Sequence, residues 1–119
     1  MENKALAMHA ATILDSKKAA DICIIDIAEK SGFADYFVIA TAGSARQIDA
    51  LADELEDALA KEGVLVDHKE GKAQDGWVLM DYGDVIVNLF MGEQRDRYQI
   101  EKVWIDCPQV AFEPAGQQQ

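Results

Sequence analysis

The feature of this chain that most constrains its fold is residues 36–42, where almost every side chain is apolar. A strand with one face in water alternates apolar and polar side chains, whereas an unbroken apolar run is typical of a strand covered on both faces. Residues 36–42 therefore predict an inner strand of a sheet with other elements packed against both of its faces.

A helix is predicted directly after this strand. Ser44 and Gln47 form a capping box, in which the serine hydroxyl accepts from the Gln47 amide and the Gln47 side chain reaches back. The apolar residues that follow recur at helical spacing, and Gly63 ends the helix as a left-handed cap. The apolar stripe of this helix consists of Ile48, Leu51, Ala52, Leu55 and Leu59.

The remaining segments complete the predicted fold. Further helices are predicted at 3–14 and 93–105, and further strands at 22–27, 64–67, 77–81 and 85–90. Residues 82–84 predict a tight hairpin, and residues 70–76, which are polar with two glycines, predict a mobile loop. This order predicts an α+β protein with a five-stranded mixed sheet and flanking helices. The β-α-β crossover over residues 36–67 is expected to be right-handed if its two strands are parallel.

One folded domain is predicted over residues 1–106. Residues 107–119 contain both prolines, Pro108 and Pro114, and end in three glutamines. Such a segment has too little apolar surface to order itself, so it is predicted to be a flexible C-terminal tail. We assign this tail no function.

The charge of the chain limits its partners. With 22 acidic and 11 basic residues, the net charge is −11, and no basic run occurs anywhere. Nucleic-acid binders replace the counterions of phosphates with Lys and Arg, so direct nucleic-acid binding is disfavoured. An acidic surface instead favours encounter with a basic protein, although maintenance of solubility explains the charge equally well at this stage.

Composition also bears on location and cofactors. No apolar stretch reaches the length of a membrane span, and the N-terminus does not have the pattern of a signal peptide. Cys23 and Cys107 are too few for a disulfide framework, and neither they nor His9 and His68 have the spacing of metal ligands. The sequence predicts a cytoplasmic protein without a metal or cofactor.

One junction is similar to half of an enzyme site. Gly43 and Ser44, between a strand and a helix, are similar to the turn that holds nucleotide phosphates in nucleotidyltransferases. Catalysis there also needs two carboxylates on the following strand to hold metal ions, and only Asp67 is present. We therefore expect Ser44 to be an N-cap and the protein not to be an enzyme. A nucleotide-binding or nucleotidyl-transferring enzyme using Gly43, Ser44 and Asp67 is the alternative.

Residues 67–84 have the composition of a docking surface. They combine five acids with two large aromatic residues, Trp77 and Tyr82. Strand alternation places Trp77, Leu79 and Asp81 on one face and Val78, Met80 and Tyr82 on the other. An acid on the Trp77 face argues against a wholly buried surface. The other interpretation is that Trp77 packs in the core while the acids solvate a loop.

These residues give a specific site hypothesis. Trp77 and Tyr82 would be the anchors of a partner protein, and Asp81 would pair with a Lys or Arg. Asp75 and Asp84 would be supporting charges on the rim of the interface. The same surface could instead form a homodimer.

Motifs of a known family include several of these residues. The block Trp77-x-x-x-Asp81-Tyr82-Gly83-Asp84 is followed by a helix with the pattern Tyr98-x-x-Glu101-x-x-Trp104. Together with the upstream segments 21–26 and 34–42, these motifs resemble the ribosome silencing factor (Iojap) family over about residues 4–106.

The resemblance implies a catalytically silent, nucleotidyltransferase-like fold. It further implies binding to the large ribosomal subunit through its protein uL14, which sterically prevents joining of the small subunit and lowers translation. Asn88 stands where many relatives carry a histidine, so no role of that histidine is transferred to this chain.

Overall fold

The computed structural model describes residues 1–115 of the chain. In order, its helices and strands are α1 (Asn3–Ser16), β1 (Ala20–Asp26), β2 (Tyr36–Ala42), α2 (Ala45–Ala60), β3 (His68–Lys72), β4 (Trp77–Asp81), β5 (Val85–Met91), α3 (Gly92–Tyr98), α4 (Ile100–Val103) and β6 (Gln109–Val110). A short 3-10 turn, Ala73–Asp75, joins β3 to β4. The mixed α+β class predicted from the sequence is confirmed.

Within residues 1–115 the sheet has six strands, so the predicted five-stranded sheet is wrong in number. Its order is β3-β4-β5-β2-β1-β6, in which β2 and β5 are parallel and every other neighbouring pair is antiparallel. Both strands of the β2–α2–β3 connection lie in this sheet, but β4 and β5 separate them. The likeness to nucleotidyltransferases and the handedness of the crossover stay predictions.

Two elements differ in place from the prediction. The strand predicted at 64–67 is absent, and β3 instead occupies His68–Lys72, whose last three residues fall in the polar loop predicted at 70–76. All five residues of β3 are exposed, so the strand has no apolar pattern of its own. It forms because its backbone pairs with β4 at the edge of the sheet.

The sixth strand lies in the segment that was predicted to be a tail. Gln109 and Val110 pair with Ile25 and Ile24 of β1, and the Asp26 amide donates to the Pro108 carbonyl at 2.9 Å. Flexibility of residues 107–119 stays a prediction, and the last four of these residues lie outside the described part of the chain.

The sheet separates two apolar layers. On the first face, α1 and α2 cover alternate strand residues, including Val38 and Val87, which are fully buried. On the second face, Phe37, Ile39 and Phe90 belong to a smaller layer. Residues 36–42 contribute to both layers, which confirms that β2 is a strand covered on both faces.

The start of α2 follows the predicted cap. Ser44 Oγ accepts from the Gln47 amide at 3.1 Å, and Gln47 Oε1 reaches back to accept from the Gly43 amide at 2.6 Å. The Gln47 side chain thereby satisfies the Gly43 amide, which directly follows β2.

The helix predicted at 93–105 is broken in two. Gln99, at φ 46°, separates α3 from α4, and neither helix has a fully buried residue. Arg95 holds this segment to the sheet: its guanidinium donates to both carboxylate oxygens of Glu101, at 3.2 Å each, and to Thr41 Oγ1 at 2.8 Å. It also donates to the carbonyl of Asp21, in the irregular part of β1.

Candidate functional site

The second face of the sheet is only partly covered within residues 1–115. The α3–α4 segment packs over β5, β2 and β1, whereas the face of β3 and β4 carries the half-buried Trp77 and Leu79. An open cleft of ≈ 270 Å³ is lined by Glu70, Gly71, Trp77 and Leu79. We call Trp77, Leu79, Asp81, Glu70 and His68 the Trp77–Leu79 surface.

Strand pairing explains why these residues share one face. Residues directly opposite each other on neighbouring strands point to the same side of a sheet. Glu70 is opposite Leu79, and His68 is opposite Asp81. The predicted grouping of Trp77, Leu79 and Asp81 on one face agrees with this register, since Val78 and Met80 belong to the core under α1 and α2.

Trp77 has a fixed orientation. Its Nε1 donates to Asn88 Oδ1 at 3.1 Å, and its ring stacks on Phe90 and packs at a tilt against Tyr98, with centroids 4.9 Å away in both cases. Asn88 is 1% exposed, and its Nδ2 has no hydrogen-bond partner among the residues that the structure describes. Trp77 is therefore both a core contact and a preorganised, partly exposed ring.

Carboxylates border the apolar part of this surface. Asp81 Oδ1 accepts from the Gly83 amide at 2.7 Å, which fixes the turn after β4. Its other oxygen is 3.6 Å from His68 Nδ1, and Glu70 Oε2 is 3.7 Å from His68 Nε2. Glu70 is mostly exposed, so its charge is available to a partner without breaking the fold.

Tyr82 lies on the opposite side of the sheet. It packs against the core under α1 and α2, and its Oη is buried without a hydrogen-bond partner in the described part of the chain. Burial, with a smaller contribution from the nearby Glu56 carboxylate, raises the pKa of Tyr82 to about 12. The structure thus does not place Tyr82 beside Trp77 as a second anchor.

Asp75 and Asp84 lie at opposite ends of β4. Asp75 ends the 3-10 turn before Trp77, while Asp84 belongs to the turn before β5, where its carbonyl accepts from the Asp35 amide. The length of β4 separates these two acids by about 13 Å at about 3.3 Å per residue. The five predicted site residues therefore do not form one patch.

Glu70 was counted among the five acids of residues 67–84 but not among the predicted site residues, and His68 was given no role in the site. They fall in or beside the segment that was predicted to be a loop, because their polar sequence has no strand signal. The one available signal is that Glu70 and His68 are two residues apart, the spacing that places side chains on one face of a strand.

The residues of the alternative enzyme site are far apart. Gly43 and Ser44 follow the last residue of β2, while Asp67 lies beside Gly83 at the other end of the parallel pair β2–β5. Seven residues of strand separate the two positions by about 20 Å. Because Gln47 also occupies the Gly43 amide, these three residues do not form a nucleotide site.

Within residues 1–115, no group of three or more His, Cys, Asp or Glu is arranged to hold a metal ion. Likewise, no described helix has the length and apolar character needed to cross a membrane.

Comparisons with known proteins give consistent results. The family model described as "Ribosomal silencing factor during starvation" matches residues 1–119. The chain is 39% identical to ribosomal silencing factor RsfS of Bacillus subtilis, covering 91% of this chain and 92% of that protein. It is 31% identical to the mouse protein named mitochondrial assembly of ribosomal large subunit protein 1, over 78% of this chain and 42% of that protein. A crystal structure of a Chromobacterium violaceum protein superposes with a TM-score of 0.84 at 33% identity, covering 97% of each chain.

Proposed function

Because the chain belongs to the family of ribosomal silencing factors, we propose that it binds the large ribosomal subunit through protein uL14 and blocks joining of the small subunit. The block is steric, so translation falls without a chemical step. The family consists of regulators rather than enzymes, in agreement with the prediction from the sequence.

The observation that carries this proposal is the Trp77–Leu79 surface. A rigid aromatic ring beside an aliphatic side chain is typical of the centre of a protein interface, where a few residues provide most of the binding energy. Glu70 and Asp81 outnumber Lys72, which is opposite Trp77 on the same face, so the border has a net negative charge that favours a basic partner such as a ribosomal protein. The name of the mouse relative, which refers to the large ribosomal subunit, supports the same choice of partner.

The predicted site residues keep unequal roles in this proposal. Trp77 is the anchor and Asp81 the central carboxylate, whereas Asp75 and Asp84 contribute long-range charge from the two ends of β4. Tyr82 supports β4 from the opposite face. Trp77→Ala should weaken binding by about 2 kcal/mol or more, but it also removes contacts with Phe90, Tyr98 and Asn88.

The first experiment therefore changes an exposed residue instead. Glu70→Lys reverses a charge on the surface, and Glu54→Lys makes the same change in net charge on α2, outside the surface. Each variant is sedimented with isolated 50S subunits and then with added 30S subunits. Glu70→Lys should lower the affinity for 50S about fivefold or more and restore 70S formation, while Glu54→Lys should behave like the unchanged protein.

Two outcomes would contradict the proposal. Failure of the unchanged protein to travel with 50S subunits at low and moderate salt would rule out the ribosomal function. Equal effects of Glu70→Lys and Glu54→Lys would show that net charge matters and that the Trp77–Leu79 surface is not the docking site.

The same surface is also suited to a homodimer of the free protein, because an isologous contact would cover Trp77 and Leu79 in both copies. Light scattering over a concentration series measures this association directly, and a dimer that dissociates when the 50S subunit binds would support one shared surface. The bacterial relatives are named for a ribosomal role, so we place the site of action in the cytoplasm.

A further inference from the structure

A second group of exposed apolar residues lies at another position on the same face of the sheet. Phe33, Val103 and Ile105 are 58%, 69% and 74% exposed, respectively. The half-buried Trp104 connects them to the core, with ring centroids 6.2 Å from Phe33 and 5.7 Å from Phe37. We call Phe33, Val103, Trp104 and Ile105 the Phe33–Trp104 patch.

This patch is separate from the Trp77–Leu79 surface. Tyr98, at the end of α3, packs on Trp77, whereas Trp104, directly after α4, packs on Phe37 of β2, so different parts of the α3–α4 segment contribute to the two groups. Large apolar side chains scattered singly are ordinary at a protein surface, whereas a contiguous group of them marks an interaction site.

Acidic residues border the patch. A cleft of ≈ 180 Å³ beside it is lined by residues that include Asp26, Glu29 and Asp106, together with Lys30. The ammonium of Lys30 is already paired, since it donates to Asp106 at 3.1 Å. The two chain segments that form patch and cleft, 26–35 and 101–106, contain five carboxylates and two lysines. Cations on a partner are therefore complementary to this border.

The form of the partner follows from the sheet. Beneath the patch, β2 is paired on both sides by β5 and β1, and β1 is paired by β2 and β6. β2 has no free edge, and β6 covers the outer edge of β1 at Ile24 and Ile25, so a partner that leaves β6 in place contacts the patch through side chains. An amphipathic helix meets this requirement with one apolar stripe.

We propose that the Phe33–Trp104 patch is a docking site for a basic amphipathic helix of a second protein partner. The helix lays its apolar stripe on Phe33, Val103 and Ile105 and places Lys or Arg side chains over the cleft at Glu29. The site is independent of the surface proposed for the large ribosomal subunit.

The probe for this test is a fluorescein-labelled, 18-residue Leu–Lys peptide with one apolar helical stripe, titrated with the full-length protein by fluorescence anisotropy. A peptide of identical composition with its stripe scrambled measures non-specific attraction between opposite charges. The double variant Val103→Ser/Ile105→Ser removes exposed apolar contacts, and Leu65→Ser is its control, because Leu65 is 72% exposed and outside the patch.

The striped peptide should bind about tenfold more tightly than the scrambled one. Val103→Ser/Ile105→Ser should weaken its binding by a similar factor, and Leu65→Ser should change it less than about twofold. No binding to the unchanged protein, or equal binding of both peptides, would overturn the proposal.

Sedimentation of the same variants with 50S subunits separates this inference from the proposed function. Val103→Ser/Ile105→Ser should still travel with 50S subunits. If it does not, the ribosome uses the Phe33–Trp104 patch and the proposal of a separate partner is wrong, whatever the result for Glu70→Lys.

Discussion

The buried amide of Asn88 fixes the orientation of Trp77 on the second face of the sheet, where Trp77 contributes both to packing and to the proposed docking surface. The Trp77 indole is oriented by Asn88, so the ring can present its exposed part without losing its own hydrogen bond. A preorganised side chain loses less conformational entropy when a partner binds. Asn88, noted in the sequence only as a departure from relatives, therefore has a defined structural role.

Tyr82 provides a prediction at the scale of a single residue. Its hydroxyl is buried without a partner in the described residues, so Tyr82→Phe removes a group whose desolvation is not compensated. The free energy of unfolding at neutral pH should stay unchanged or rise by up to about 1 kcal/mol. Urea unfolding monitored by circular dichroism measures this difference.

The same residue gives the chain a specific response to alkali. Because folding raises the pKa of Tyr82 from its ordinary value near 10 to about 12, the fold favours the protonated phenol. The part of the folding free energy that depends on a protonated phenol is complete below pH 10 and is lost as pH rises through about 12. Tyr82→Phe should reduce this alkaline loss. The exposed Tyr98 is the control, and an equal reduction in Tyr98→Phe would contradict the assignment.

At the scale of elements, β3 depends on a single backbone position. Gly71 has φ 88°, and a Cβ added there would lie 2.3 Å from the carbonyl oxygen of Trp77. The clash is with backbone, so no side-chain rotation can relieve it. Any residue other than glycine at this position must displace β3 from β4 and with it Glu70.

We therefore predict that Gly71→Ala weakens both the fold and the docking surface. It should lower the free energy of unfolding by about 2 kcal/mol or more, since strain and clash act together. Gly63→Ala is the matched control, because Gly63 has a similar φ of 81° but open space around its Cβ position, so it should cost about 1 kcal/mol. Equal losses in urea unfolding would show that β3 tolerates the displacement.

At the scale of the whole molecule, the net charge of −11 affects the rate of encounter more than the lifetime of a complex. Raising the salt concentration from about 0.05 M to 0.5 M should lower the association rate with 50S subunits about tenfold, with a smaller change in the dissociation rate. Stopped-flow fluorescence of the labelled protein measures both rates. A change confined to dissociation would contradict long-range attraction as the role of the acidic surface.

The sequence by itself determined those elements whose burial or capping is visible in their own side chains. Residues 36–42 gave the bounds of β2 because burial on both faces requires apolar side chains throughout. Ser44 and Gln47 marked the start of α2 because the cap is made within four residues of chain. The motifs around Trp77 and Trp104 were specific enough to indicate the family, which the comparisons confirm.

Only the tertiary structure decided which residues meet. β3 is exposed at all five positions and is a strand through its backbone pairing with β4, a cause that leaves no mark in side-chain periodicity. For the same reason β6 could not be foreseen. The sheet order placed Asp67 and Gly43 at opposite ends of the β2–β5 pair. By contrast, the position of Tyr82 on the face opposite Trp77 already follows from strand alternation in the sequence. The side-chain pattern of a segment reflects how that segment is buried. A site depends instead on distances between segments, and these are fixed only when the strands pair.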